Sequence, residues 1–433
     1  MNDRNRTNRR DFLKTMTAAA TVLSLPAAIR PAALGNADTL PPSERIVMGG
    51  IGLGNMGSGD MGAFAGNGGV QYAAVCDVRN DVLQDRKNRI DQRYGNHDCK
   101  AYGDFRELLA RKDIDAVHIA TPDHWHAILI IEACRNGKDV FCQKPETLTL
   151  REGRLVVNAA RRYHRVVSGG SQRVLEDYRG HLERCWGGEL GTIKSINVVT
   201  NNFSSLCNLP EEPVPESMDW NMWLGPAPWA PYNASRCSGR YDTSGNAWRA
   251  YNDYSGGDIT DWGAHHFGGA TFVADVRDLQ PTKVAYTATG GRPHISLEYP
   301  NGFVLHSCRP GAGQFQIEGT PGETRPPKPI PSYADSREVG AAEGAKDGDT
   351  KNKGKRRRQG GSIYGDFIEC VRSGTRPFRD IEWAVNTMAV CHLATVANTL
   401  KRSLVWDPAK QEFPGDAEAN RLVDRARREP WYL

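Results

Sequence analysis

The stretch "RIVMGGIGLGNMG", residues 45–57, decides the fold. Its first half is an apolar run of strand length, and its second half sets Gly52, Gly54 and Gly57 in a G-x-G-x-x-G spacing around Asn55 and Met56. Each glycine answers a mechanical need where a strand hands over to a helix across a phosphate. Gly52 permits the tight turn, Gly54 lets backbone approach a pyrophosphate, and Gly57 allows close helix packing, while the helix N-terminus favours the phosphate charge. The next apolar run, "VQYAAVCDV", carries Asp77 near its end, twenty residues after Gly57. An acid there accepts from both ribose hydroxyls and repels a 2′-phosphate. Strand, triplet, helix, strand and acid in register predict dinucleotide binding. NAD is favoured over NADP, and Arg79 keeps the alternative open.

Outward from this turn, apolar runs "DAVHIAT" and "DVFCQKP" alternate with helical stretches, and "RVVSGG" reads as a further strand. That alternation predicts an α/β Rossmann domain, a doubly wound parallel sheet, over residues 38–170. From 171 to 361 the pattern changes. Strand-like runs at 193–203, 282–290, 294–299 and 303–309 predict an α+β domain with a largely antiparallel open sheet. Two insertions interrupt it. Residues 205–256 are dense in Trp, Tyr, Pro and Asn, too aromatic for a disordered segment, and residues 319–361 are rich in Pro, Gly and charge and end in "KNKGKRRRQGG". That basic run reads as a solvated loop rather than a grip on nucleic acid. From 362 to 433 the helical period returns, as helices packing back on the core.

Residues 1–37 are set apart. Arg9 and Arg10 precede Phe12, Leu13 and Lys14, and Thr15 to Ile29 carry no charge. This resembles a twin-arginine signal peptide, so export machinery is an expected partner and a periplasmic or otherwise exported location is expected. The run is too short for a permanent membrane span, and Pro26 interrupts it. The segment holds six basic and two acidic side chains, which accounts for the whole net charge of +4. The remainder is balanced, so the basic character does not point to nucleic acid. Ten cysteines include no Cys-x-x-Cys pair.

Three further motifs carry chemistry: "ATPDHWHA" (120–127) and "QKPETL" (143–148) at strand ends, and "GGDITDWGAHH" (256–266). Together with the glycine triplet they resemble the signatures of the glucose-fructose oxidoreductase, inositol dehydrogenase and MocA (Gfo/Idh/MocA) family. "DWNMWLGPAP" (219–228), "LVWDPAKQEF" (404–413) and "REPWYL" (428–433) resemble a secreted branch of it. The family pattern at the second motif is Glu-Lys-Pro, and this chain has Gln143 before Lys144 and Pro145. The resemblance implies that a tightly bound NAD exchanges hydride with the carbinol carbon of a sugar or sugar derivative. It implies that Lys144 binds the reacting hydroxyl, that Asp261 and His265 are catalytic, that Thr121, Pro122 and His126 line the nicotinamide end of the cleft, and that subunits pair as a homo-oligomer.

An ammonium stabilises the developing alkoxide, and a histidine with a pKa near neutrality takes the proton. Asp261 and His265 are four residues apart, one face of a helix, where the acid can orient or charge the imidazole. Asp258, Asp261, His265 and His266 also make a possible metal set, but the resemblance implies no metal. Arg173, past the last sheet strand, and Trp248, Arg249 and Tyr251, just before the third motif, are the substrate candidates, because sugar C–H faces stack on aromatic rings. Three functions stay open: net hydride transfer on a carbohydrate, redox-neutral glycoside cleavage by oxidation, elimination, hydration and reduction, and sugar binding without catalysis.

Overall fold

The computed structural model describes residues 40–200, 202–238, 247–331, 333 and 362–433. Residues 1–37, read above as an expected signal peptide, the basic run 351–361 and Tyr241 lie outside the described residues. Six strands, β1 (Ile46–Ile51), β2 (Val70–Cys76), β3 (Lys100–Tyr102), β4 (Ala116–Ile119), β5 (Asp139–Cys142) and β6 (Val167–Gly169), pair in parallel in the order 3-2-1-4-5-6. Helices α1 (Asn55–Ala65), α2 (Asn80–Tyr94), α3 (Phe105–Ala110), α4 (Asp123–Arg135) and α5 (Leu150–Arg162) alternate with them. Strands β4 and β5 are buried at every position, as expected of a parallel sheet with both faces covered. The winding direction reverses at β1, between β2 and β4, and a crevice opens beyond their carboxyl ends.

The second sheet runs β11-β7-β10-β9-β8-β12, built from β7 (Ser195–Val198), β8 (Lys283–Thr289), β9 (Arg292–Glu298), β10 (Val304–Ser307), β11 (Phe315–Glu318) and β12 (Leu404–Val405). Only β7 and β10 pair in parallel. Sequence reading finds four of these strands and misses β11 and β12. β11 lies just before the 319–361 insertion, and β12, only two residues long, arrives from the far C-terminus to pair with β8.

Helices α6 (Gly263–Val273), α7 (Ile363–Ser373) and α8 (Ile381–Leu400) complete the body. The long α8 packs on α5 of the first sheet domain, on α6, and on β8 and β9. It is buried on nearly all sides, so it serves as a rib shared by both domains. The aromatic insertion makes its own small core: Trp220 and Trp223 stack at 4.8 Å, and Tyr232, Trp248, Tyr251 and Tyr254 pack with them. The chain's end clamps it, with Arg428 donating to the Gly225 carbonyl at 2.9 Å and Trp431 packing on Trp125 at 4.7 Å. No described helix is long and apolar enough to cross a membrane. No disulfide joins any two of the ten cysteines.

Candidate active site

The glycine-rich turn forms as its sequence dictates. Gly52 has φ +78°, and a Cβ there would lie 2.7 Å from the Thr121 amide nitrogen. A Cβ on Gly57 would lie 2.0 Å from the Gly52 carbonyl oxygen, so α1 can sit this close to β1 only without a side chain. Around Gly54 there is open space, which leaves bare backbone facing a cleft of about 720 Å³. Gly52, Gly54, Asn55, Met56, Asp77, Thr121 and Pro122 line that cleft, and so do Lys144, Trp248 and Arg249. Asp77 accepts from the amides of Leu53 (2.7 Å) and Arg79 (2.9 Å), which ties the strand end to the glycine turn. Burial raises its pKa against these bonds. The Arg79 guanidinium is paired with Asp81 at 2.5 Å. These residues fit a dinucleotide: an open backbone cradle at a helix N-terminus and an acid at the second strand end.

Lys144 links the cleft to the third motif. It follows β5, lines the cleft, and its ammonium donates to an Asp261 carboxylate oxygen. The other oxygen of Asp261 faces Arg249 at 3.7 Å, and the Arg249 guanidinium lies over the Trp248 ring at 4.2 Å. Lys144 and Asp261 are both largely buried, so removing either partner would strand a charge. The expected use of Asp261 on His265 is replaced by another geometry. Asp261 ends a short turn, Asp258–Asp261, joined through Trp262 to α6, and it serves two cations. His265 Nδ1 instead meets the Ser171 hydroxyl at 2.6 Å. Nor does the His265 pKa stay near neutrality. Burial foremost, then Lys144, Arg379, Arg173 and His266, push it down to about 2, so the imidazole is neutral. His266 bonds the Tyr178 hydroxyl at 2.5 Å.

Three expectations are corrected. His126 does not line the cleft. It is buried, with Nδ1 on the Pro145 carbonyl (2.7 Å) and Nε2 on the Thr121 carbonyl (2.8 Å), and it fastens the two strand-end turns to each other. Tyr251 packs inside the aromatic core rather than toward substrate, because the short helix Trp248–Ala250 turns Trp248 and Arg249 into the cleft and Tyr251 away from it. Arg173 lies on the surface, paired with Asp177 at 2.9 Å and stacked over Trp262 at 5.2 Å.

Three features escaped the sequence reading. Ser171 had no local signal. His124 and Trp125 both reach the Trp223 carbonyl at 3.1 Å, so the second half of "TPDHWH" anchors the aromatic insertion. Gln143 explains its own departure from Glu-Lys-Pro. Its amide nitrogen donates to both oxygens of buried Asp60 (3.1 and 2.9 Å), which also accepts from the Tyr364 hydroxyl at 2.8 Å. Burial pushes Asp60 up to about 6 against those bonds, and a glutamate at 143 would set two carboxylates face to face. Among the described residues no group of His, Cys, Asp and Glu is placed to hold a metal ion.

A model described as the oxidoreductase family, NAD-binding Rossmann fold, matches residues 46–171. Another, the oxidoreductase family, C-terminal alpha/beta domain, matches residues 196–296 and 351–433. The chain belongs to the Gfo/Idh/MocA oxidoreductase family. A glycosyl hydrolase family 109 protein of Shewanella pealeana is 32% identical over 172 residues, covering 36% of this chain and 37% of that protein. The match thus spans little more than a third of that relative's length. Among solved structures, an aldose-aldose oxidoreductase from Caulobacter crescentus complexed with glycerol aligns with TM-score 0.52 at 15% identity, over 83% of this chain and 99% of that one. GenD2 from gentamicin A biosynthesis, in complex with NAD, aligns with TM-score 0.53 at 18% identity, over 84% and 97%. These likenesses show the fold.

Proposed function

We propose that the protein is an exported oxidoreductase that holds NAD tightly and exchanges hydride with a carbinol carbon of a carbohydrate at the seam of its two domains. The observation that carries this reading is Lys144, which lines the same cleft as the glycine turn while its ammonium is held by Asp261. When bound, the nicotinamide supplies a reversible hydride acceptor at that end of the cleft. Lys144 donates a hydrogen bond to the reacting oxygen and stabilises it as charge develops, and Asp261 with Arg249 fixes the ammonium's position. His265 is not among the residues that line the cleft; held through Nδ1 by the Ser171 hydroxyl, its neutral imidazole would take the carbinol proton at Nε2. Burial first, then Lys144, Arg379 and Arg173, disfavours the protonated imidazole, so the proton must pass on from it. Trp248 offers a flat apolar face and Arg249 a donor for a sugar.

Export would separate the enzyme from any free nicotinamide pool, so the cofactor must be recycled in place. A second reading meets that need directly: redox-neutral glycoside cleavage, which the name of the Shewanella relative favours. Two measurements test the reading. Protein purified without added cofactor is denatured, and the released nucleotide is identified by absorbance and mass; about one NAD(H) per chain is expected, and none, with no NAD binding by calorimetry, removes the basis for it. Changing Arg9 and Arg10 to Lys should stop export and leave activity in lysate intact; unchanged periplasmic yield would argue for another route.

A further inference from the structure

We propose that Asp123 is the acid that protonates the departing oxygen of a glycoside and recovers that proton from the water that replaces it. The proposal rests on the glycoside-cleaving reading above. Asp123 follows Thr121 and Pro122 as the first residue of α4 and lines the cleft together with Lys144 and Arg249. It is 1% exposed, and among the described residues neither carboxyl oxygen has a hydrogen-bond partner. An aspartate in a first helical turn commonly caps or is capped, but this one makes no cap bond. A buried carboxylate with only the Ser255 hydroxyl near it is costly, whereas the neutral acid keeps an O–H to give.

The groups facing it are Asp261 from the turn before α6, Lys144 from the end of β5, Arg249 from the Trp248–Ala250 turn, and the Ser255 hydroxyl. Asp261 faces both cations, Lys144 and Arg249, in ion pairs. Asp123 has neither cation. Burial first, then Asp261, push its pKa up to about 8 against Ser255, Arg249 and Lys144. Two neighbouring carboxyls with separated proton affinities are the arrangement that assigns one as acid.

The step balances. Once the carbinol next but one to the anomeric carbon has become a carbonyl, the intervening C–H is acidic and loses its proton to a base. Its electron pair forms the new C=C bond as the anomeric C–O bond breaks, and the Asp123 proton goes to the leaving oxygen, which departs as an alcohol. Water then adds at the anomeric carbon and returns a proton to Asp123, the base restores its proton to the neighbouring carbon, and return of the hydride completes hydrolysis.

The test uses the full-length holoenzyme with a panel of methyl and 4-nitrophenyl hexopyranosides of both anomers, in H2O and D2O. Nitrophenolate leaves without help and methoxide does not. In Asp123→Asn, cleavage of the methyl glycoside should fall about 10²–10⁴-fold, and that of the nitrophenyl glycoside by less than about tenfold. Recovered methyl glycoside should still pick up deuterium beside the anomeric carbon, because oxidation and C–H loss precede the acid's step. In the wild type, methyl glycoside cleavage should fall as pH rises through about 8 while nitrophenyl cleavage does not, a readout that does not depend on the variant's folding. Equal losses on both leaving groups, or loss of deuterium exchange with bound NAD retained, would overturn the acid's assignment. A wild type that oxidises sugars but cleaves no glycoside would overturn the underlying reading before any variant is made.

Discussion

Gln143→Glu turns the Asp60 site into a test of the electrostatics next to Lys144. The introduced carboxyl would occupy the place of an amide that now donates to Asp60 at 2.9 and 3.1 Å, with both residues buried. Asp60 alone is already at about 6 because of burial. A second carboxylate in contact raises the last proton of the pair by roughly three more units, so the folded variant keeps one shared proton to about pH 9. In the unfolded chain a glutamate has released its proton above about pH 4.3.

The native variant therefore binds one proton more than its unfolded state, and its stability falls as pH rises. The slope is about 1.4 kcal/mol per pH unit, or about 3 kcal/mol lost between about pH 6.5 and pH 8.5. In the wild type, Asp60 is raised from 3.8 to about 6, so its contribution is full below 3.8 and lost as pH rises through 6. Above that the Asp60 contribution is flat, and Asp123, raised to about 8, adds the same slope to both proteins, so the difference between their curves isolates the variant's slope. Urea midpoints at several pH values measure it, and parallel curves for the two proteins over this window would refute the shared-proton argument.

Lys144→Met keeps the aliphatic stem and deletes the ammonium, so turnover should fall about 10²–10³-fold with NAD still bound; single-turnover kinetics on cofactor-loaded protein measures it, and near-normal turnover would reject the assignment. Asp77→Ala should weaken NAD binding and narrow its advantage over NADP in calorimetry, since the exposed Arg79–Asp81 pair, worth at most about 1 kcal/mol, can open to a 2′-phosphate; an unchanged NAD/NADP ratio would count against Asp77 as the discriminator. Tyr251→Ala should cost about 3–5 kcal/mol in stability through the cavity left in the aromatic core, with bound NAD retained. Trp248→Ala should act chiefly on the sugar's KM, and the opposite division between these two variants would place the substrate elsewhere.

Legibility in the sequence followed locality. The glycine turn, Asp77 and the parallel strands were readable because each requirement falls within a few consecutive residues: a positive φ, a close approach without Cβ, an apolar run buried on both faces. Gln143 was visible as a departure from a pattern, but its reason was not. Its partner Asp60 lies 83 residues away, and Tyr364 comes from α7, on the other side of the second domain in sequence. The same holds for Ser171 on His265, 94 residues apart.

The sequence alone determined the alternation of strands and helices, the nucleotide turn and which motifs carry ionisable groups, since backbone sterics and hydrophobic period act over short spans. Tertiary structure alone decided what those groups face. It gave Asp261 to Lys144 and Arg249, left His265 with Ser171, turned Tyr251 inward, and buried Asp123 in the cleft wall without a partner. Proton affinities and contacts depend on which distant segments exclude water and bring charge together, and that is set by packing across 100 residues or more, as in the 117 that separate Lys144 from Asp261.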